Sequence, residues 1–261
     1  MSETEFNIMR SAGFVVAAGA AVALQRWRPH AHIRRPLGTN VGLWAVNLIV
    51  LGVVCGGCAC AMAHWAASAQ FGLLNLTTGP AWLALPVTVL ALDFVSYWWH
   101  RANHRLRPLW RFHQVHHSDA AFSVSTGVRF HPGELVLSLP LRLAAIAAIG
   151  APVVGVIVFE VVFSVANLIE HGDIDLPLAL ERRVGRVCIT PALHRRHHSR
   201  RRGELDSNFG TIFAFWDRVL GTYIDNSSAV RVDTGLPGLD QSPRLRDALV
   251  LPMRVYGRST S

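Results

Sequence analysis

Three apolar stretches set the terms for this chain: residues 40–67, 80–99 and 135–168. A helix needs about 20 residues to cross the hydrocarbon core of a bilayer. A backbone inside that core has no water to bond, so its N–H and C=O groups must pair within the segment. Residues 80–99 make one span, ending in the aromatic cluster Tyr97, Trp98 and Trp99, a composition suited to the headgroup level. Residues 40–67 make another, with Gly52 and Gly56 in the spacing that permits close helix approach. Residues 135–168 read as apolar throughout, broken at Gly150-Ala151-Pro152, and predict a helical hairpin turning there. The run 6–24 crosses as well if Arg10 snorkels, and no cleavage pattern follows it. Composition agrees: 16% of residues are charged, against roughly 25% in soluble proteins. The expected fold is all-α, a polytopic integral membrane protein with about four to five membrane helices.

Every basic residue is an arginine, and the net charge is +8. Arg26, Arg28, Arg34 and Arg35 follow the first span, and none follows the second. Arg101, Arg105, Arg107 and Arg111 follow the third; the hairpin turn has none; Arg182, Arg183, Arg186 and Arg195 follow the hairpin. Such alternation places the arginine-rich ends on the cytoplasmic side. Arginines beside apolar spans point to a membrane and not to nucleic acid, for which the stacking aromatics and glycine-rich clamp loops are missing. Cys55, Cys58 and Cys60 lie in an apolar run and read as small packing residues, and Cys188 stands alone. The chain divides into membrane helices and loops over 1–79, a catalytic region over 80–225 and a loosely ordered tail over 226–261.

The histidines carry the chemistry. His100 and His104 form HxxxH; His113, His116 and His117 form HxxHH; His194, His197 and His198 form a second HxxHH. Residues i, i+3 and i+4 share a helix face, so each cluster is a half-cage of imidazoles. All three fall at arginine-rich span ends, hence on one membrane face. Neutral imidazole ligates zinc, copper, iron and nickel. Eight such ligands exceed what one ion uses, so two metal ions are expected. His30, His32 and His64 are isolated and read as structural or solvated. Asp93, inside the third span, has two readings: an ion pair with Arg101, or a carboxylate that accepts a histidine N–H. The second is favoured.

Asp93-Phe94 leading through Tyr97 into HRANH, then FHQVHHS, FHPGE at 130–134, NLIEHGDI at 167–174, TPALHRRHHS at 190–199, LDSNFG at 205–210 and FWDRVLGTY at 215–223 together resemble the fatty acid hydroxylase/sterol desaturase superfamily of membrane di-iron oxidases. The resemblance covers roughly 82–223. It implies a four-helix membrane base under a cytosolic histidine-lined cap, where two iron ions use O2 to hydroxylate or desaturate an unactivated C–H bond of a lipid. It carries the metal-ligand role onto His100, His104, His113, His116, His117, His194, His197 and His198, and adds His171. Some members have a histidine four residues before that position; this chain has Asn167, which either ligates weakly or leaves a position open. His131 reads as structural or as a partner to a ligand, and Glu134 as a carboxylate that orients a ligand imidazole. No haem, flavin or iron–sulfur motif is present, so a separate cytoplasmic electron donor, cytochrome b5-like or ferredoxin-like, is implied. The competing readings are a zinc-dependent membrane hydrolase, for which no HExxH occurs, and a metal-binding membrane protein without this chemistry.

Overall fold

In a computed structural model the described residues are 3–31, 37–55, 57–77, 79–225, 232–254 and 256. His32, Arg34, Arg35 and Gly56 lie outside them. Among the described residues the elements are helical, with only isolated bridges and no strand. In chain order they are α1 (Glu3–Trp27), α2 (Gly38–Cys55), α3 (Cys58–Ser68), α4 (Leu73–Leu76), α5 (Ala84–Arg105), α6 (Arg107–His117), α7 (Pro132–Ile149) and α8 (Val153–Glu170). Five short helices follow: α9 (Leu178–Val184), α10 (Pro191–His197), α11 (Arg202–Leu205), α12 (Phe215–Val219) and α13 (Leu245–Val250).

Five segments are long and apolar enough to cross a membrane: 7–27, 38–76, 81–105, 132–149 and 153–170. They suit a multi-pass membrane protein. The 38–76 segment is not one regular helix. Gly57 adopts φ 70 between α2 and α3. At the start of α2, Asn40 donates to Asp119, while past α3 Asn75 and the Phe71 carbonyl press on Gly150. α2 and α3 thus run from the histidine end of the bundle to its opposite end. A methyl group at Gly52 would meet nothing, so that glycine does not mark a close helix contact.

The hairpin forms as read. Gly150 caps α7 with φ 69 and Pro152 precedes α8. Gly72 approaches so closely that an added Cβ would lie 2.3 Å from the Ala147 carbonyl oxygen, which ties this turn to α4. The arms of the hairpin do not close on each other: α7 packs on α2, α3 and α5, and α8 packs on α1, α3 and α5. The stretch is also not apolar throughout. Arg142 on α7 forms an ion pair with Glu160 on α8, and Arg10 on α1 reaches the same carboxylate at 3.3 Å. Arg10, itself 47% exposed, is therefore partnered to a buried carboxylate.

The tail departs from the expectation of loose order. Over 232–254 it packs down: α13 and the turn after it bury Ala248 and Leu251 against Leu43 of α2 and Val115 of α6. The Gln114 amide donates to the carbonyls of Leu251 and Arg254, and the Trp110 indole donates to that of Tyr256. These three acceptors are backbone atoms, so the letters of the tail do not announce them.

Candidate metal centre

The centre is built where α5 and α8 end and α7 begins. α5 carries His100 and His104 one turn apart, and extended Leu106 followed by Pro108 turns the chain into α6. α6 presents His113, His116 and His117. His171 caps the C-terminus of α8. Thr190 caps α10, accepting from the Leu193 N–H, and Pro191 opens the helix that carries His194, His197 and His198.

These nine histidines form two sets. His100, His104, His113, His117 and His197 make five; His116, His171, His194 and His198 make four; in each set one ligand atom per residue lies within 4.8 Å of all the others. The two HxxHH helices divide in opposite senses. α6 gives its i and i+4 histidines to the first set and His116 to the second; α10 gives His194 and His198 to the second and His197 to the first. The cage is therefore interlocked, and neither set belongs to one helix.

Second bonds fix which nitrogen faces inward. The Nδ1–H groups of His100, His116, His171 and His197 donate to the carbonyls of Phe209, Arg129, Asn167 and Ser207, and that of His113 donates to Glu134 at 2.9 Å. Each of these rings then turns an unprotonated Nε2 into the cage. Removal from water leaves the imidazoles neutral: His116, His117, His194 and His198 are held well below 6.5, and His171 and His197 at about 3. Nε2 of His171 lies 3.0 Å from Nε2 of His116 and 2.9 Å from that of His194. Between His171 and His116 two lone pairs face each other with no proton to share, a repulsive arrangement. Two nitrogens about 2.1 Å from one ion at right angles are about 3 Å apart, so a cation turns that repulsion into ligation. The buried Nε2 atoms of His100 and His197 and both ring nitrogens of His198 have no hydrogen-bond partner among the described residues. Buried polar atoms are rarely left so. The donor set fits metal.

Other expected residues fall in different places. His131 is outside the cage: its Nδ1 accepts from the Gly133 N–H at the start of α7 and its Nε2 donates to the Leu249 carbonyl. His30 lies 3.6 Å from Asp175, and His64 is exposed on α3. Asp93 touches neither Arg101 nor a histidine through its hydrogen bonds. It accepts from the backbone N–H groups of Ile212 and Phe213 and from the Trp216 indole, while Arg101 lies over Trp98. It anchors the 212–216 segment beside the loop that supports His100 and His197. Asn167 donates its amide to the Gly127 carbonyl at 2.7 Å and accepts from His171 through its own backbone carbonyl. Gly127 permits this approach, since a Cβ there would sit 3.1 Å from the Asn167 amide nitrogen.

Several supporting residues had no role in the sequence reading. Asp217 holds the 205–210 loop by accepting from the Phe209 and Gly210 N–H groups. Buried Arg129 donates to the Val115 carbonyl, Asn40 and Ser118, which fixes the turn behind His116. Glu170 is buried with its carboxylate 3.7 Å from His171 Nδ1 and 3.8 Å from His194 Nδ1. The letters E-H at 170–171 were the available signal. A cavity of about 210 Å³ reaches the cage between α5, α7 and α8. Its walls include Leu92, Val95, Trp99, Leu135, Leu141, Phe159 and Phe163, and His100, His113, His116, His171 and His194 line it as well.

The sequence profile of the family described as fatty acid hydroxylase matches residues 85–222, just over half of the chain. The chain belongs to the fatty acid hydroxylase family. Among curated relatives, it is 32% identical over 149 residues to an ornithine lipid hydroxylase of Rhizobium tropici, covering 56% of this chain and 43% of that protein. It is 32% identical over 166 residues to an alkylglycerol monooxygenase of Danio rerio, covering 62% of this chain and 35% of the relative. It is 28% identical over 142 residues to the cholesterol 25-hydroxylase of Rattus norvegicus, covering 52% and 45%. The chain thus spans less than half the length of each. No solved structure matches it. The matched family region ends before α13, so the packing of the tail on α2 and α6 lies outside it.

Proposed function

We propose that this protein is a membrane di-iron oxidase that uses O2 and external electrons to hydroxylate, or desaturate, an unactivated C–H bond of a lipid. One observation carries the reading: nine histidines, eight of them buried and His100 partly so, stand in interlocked sets of five and four at the end of an apolar cavity that runs between membrane-length helices. Hydrolysis of a polar substrate at zinc calls for an open aqueous cleft and few protein ligands. Oxidation of a lipid calls for a dry cavity and a metal pair, which is the arrangement here.

In this reading His100, His104, His113, His117 and His197 hold one iron, and His116, His171, His194 and His198 hold the other. The iron pair supplies O2 activation and the oxidising equivalents. The chain supplies position and dryness. Glu134 and the Phe209, Arg129 and Ser207 carbonyls orient ligand rings, and outer partners of this kind sustain metal affinity. Asn167 positions His171 and leaves the smaller set one ligand short, on the side lined by the cavity. Leu92, Trp99, Phe159 and Phe163 exclude water and align a chain against the cage. The catalytic region is 80–225, with the histidine end facing the cytoplasm as the arginines imply. A cytochrome b5-like or ferredoxin-like donor docks there, a reading supported by the lack of a haem, flavin or iron–sulfur motif in the sequence.

The test is metal analysis of the purified protein together with lipid profiling of cells with and without the intact gene under 18O2. Two irons per chain and a lipid that gains one labelled oxygen, or loses two hydrogens, support the reading. Zinc alone, no metal, or full activity in His116→Ala or His197→Ala overturns it.

A further inference from the structure

The charged residues inside the hairpin are not used by the metal centre. Arg142 lies in a membrane-length segment and lines the same cavity as the histidines. Its hydrogen-bond partner is Glu160, a carboxylate it shares with Arg10. Its Nε is sealed from the cavity, but the side chain as a whole is 39% exposed, so Glu160 does not enclose the guanidinium. A guanidinium presents five donors in a planar fork that suits carboxylate or phosphate. At membrane depth no bulk water completes that set, and an ionisable group kept there at such cost marks a functional position.

The placement is specific. Arg142 is eight residues along α7 from Glu134, which touches His113. At about 1.5 Å per residue this is roughly 12 Å from the cage. Glu160 lies eleven residues before His171 on α8, roughly 16 Å by the same measure. Because α7 and α8 pack on α5 and not on each other, the space between those two levels is the cavity itself. Glu160 is not among the cavity-lining residues, and Arg142 is. One end of the cavity thus offers metal ligands and the other an under-bonded cation, with apolar walls between.

We propose that Arg142 is the subsite for the anionic head of the lipid substrate, a carboxylate or a phosphate, whose chain runs along the cavity to the histidines. The head is held at the end away from the metals, so the carbon presented for oxidation lies in mid-chain, about ten carbons from the head for bonds of about 1.5 Å in an extended chain. The fate of that carbon rests on the oxidase reading; the recognition of the head does not.

The experiment measures binding to the purified full-length chain in detergent, metal-free and iron-loaded, for palmitate, 1-palmitoyl lysophosphatidate and uncharged methyl palmitate. Wild type binds at least one of the two acids about tenfold or more tighter than the ester, the scale of one charge-assisted contact. Which acid it favours distinguishes a free fatty acid from a phosphorylated lipid. Arg142→Met abolishes the preference and leaves the ester unaffected. The exchange Arg142→Glu with Glu160→Arg rebuilds the ion pair with the cation off the cavity wall, so thermal stability returns and the preference does not. An equal loss for acid and ester, an unchanged preference in Arg142→Met, or a preference restored by the exchange makes the pair merely structural and overturns the proposal. With iron and electrons supplied, Arg142→Met scatters the position of the inserted oxygen along palmitate. Intact acid preference with neither oxygen insertion nor loss of two hydrogens would refute the oxidase reading and leave this one standing.

Discussion

Replacing Asp93 with alanine distinguishes an anchor from a partner of a metal ligand. The carboxylate accepts from Ile212 N at 3.2 Å, Phe213 N at 3.3 Å and Trp216 Nε1 at 2.9 Å. Alanine leaves three donors facing a gap at a site that is 1% exposed. A buried donor left unsatisfied costs about 1–3 kcal/mol. The three losses overlap, because the donors sit on one short segment. Removing the carboxylate also relieves the cost of burying its own charge. A net loss of about 3–6 kcal/mol follows from these terms. For a chain of this size, about 2–4 °C per kcal/mol gives a fall in Tm of at least about 6 °C. Asp93→Asn keeps one acceptor but turns an NH2 toward the others, and falls between alanine and wild type. The assay is thermal unfolding in detergent followed by tryptophan fluorescence, with Trp216 as a reporter at the site. Metal stoichiometry is read well below the transition, and the folded fraction binds metal as wild type does. Weakened metal affinity at an unchanged Tm would refute the argument, because that is the signature of a carboxylate acting through a histidine.

Other consequences follow from the same geometry. Glu134→Ala removes the acceptor of His113 Nδ1–H and lowers metal affinity about 10–100-fold, measured by competition with a chelator. Glu134→Gln keeps an oxygen for that bond and most of the affinity, so equal losses in both variants would sink this account. Acid destabilises the metal-free protein: His171 and His197 titrate near 6.5 unfolded and at about 3 folded, so the unfolded chain takes up protons first. Stability is complete above about pH 6.5 and falls toward pH 3, at about 2 kcal/mol per histidine by pH 5. A denaturation midpoint flat between pH 7 and pH 5 would contradict it. Leu251→Ala at the tail contact costs about 2–4 kcal/mol, read as a lower Tm; no change would mean that the tail lies passively on α6.

The spans and the histidines were legible because composition and helical spacing report them directly. Five membrane-length apolar segments and the three histidine clusters need little more than hydropathy and the i, i+3, i+4 rule. The partners of those histidines were less legible, for two reasons. Phe209, Ser207, Arg129 and Asn167 support ligand rings through backbone carbonyls, which every residue carries and no letter marks. Asp93 finds its donors about 120 positions downstream, and nothing local in HRANH or its flank points there. The division of nine histidines into two sets also depends on how α6 and α10 face each other, a tertiary fact. Arg142 and Glu160 were visible as letters, but a window averaged for hydropathy absorbed both.

The cage is held in place by contacts outside it. The Nε2 atoms of His116 and His171 lie 3.0 Å apart, and the buried Nε2 atoms of His100 and His197 have no hydrogen-bond partner among the described residues. Left to themselves these rings would turn apart or admit water. What opposes that is a ring of buried anchors that touch no ligand atom of the cage. Asp217 holds the loop behind His100 and His197, Asp93 holds the segment after it, and Arg129 with Asn40 and Ser118 holds the turn behind His116. Asp93 and Arg129 join segments far apart in sequence and Asp217 closes a local loop, and each spends a buried charge to do so, which is costly unless every bond is made. Metal affinity and fold stability are then linked quantities. A variant that loosens Asp217 or Arg129, which hold the segments directly behind ligand rings, weakens metal binding in proportion to the loss of order there, while Asp93, one segment further out, acts on fold stability.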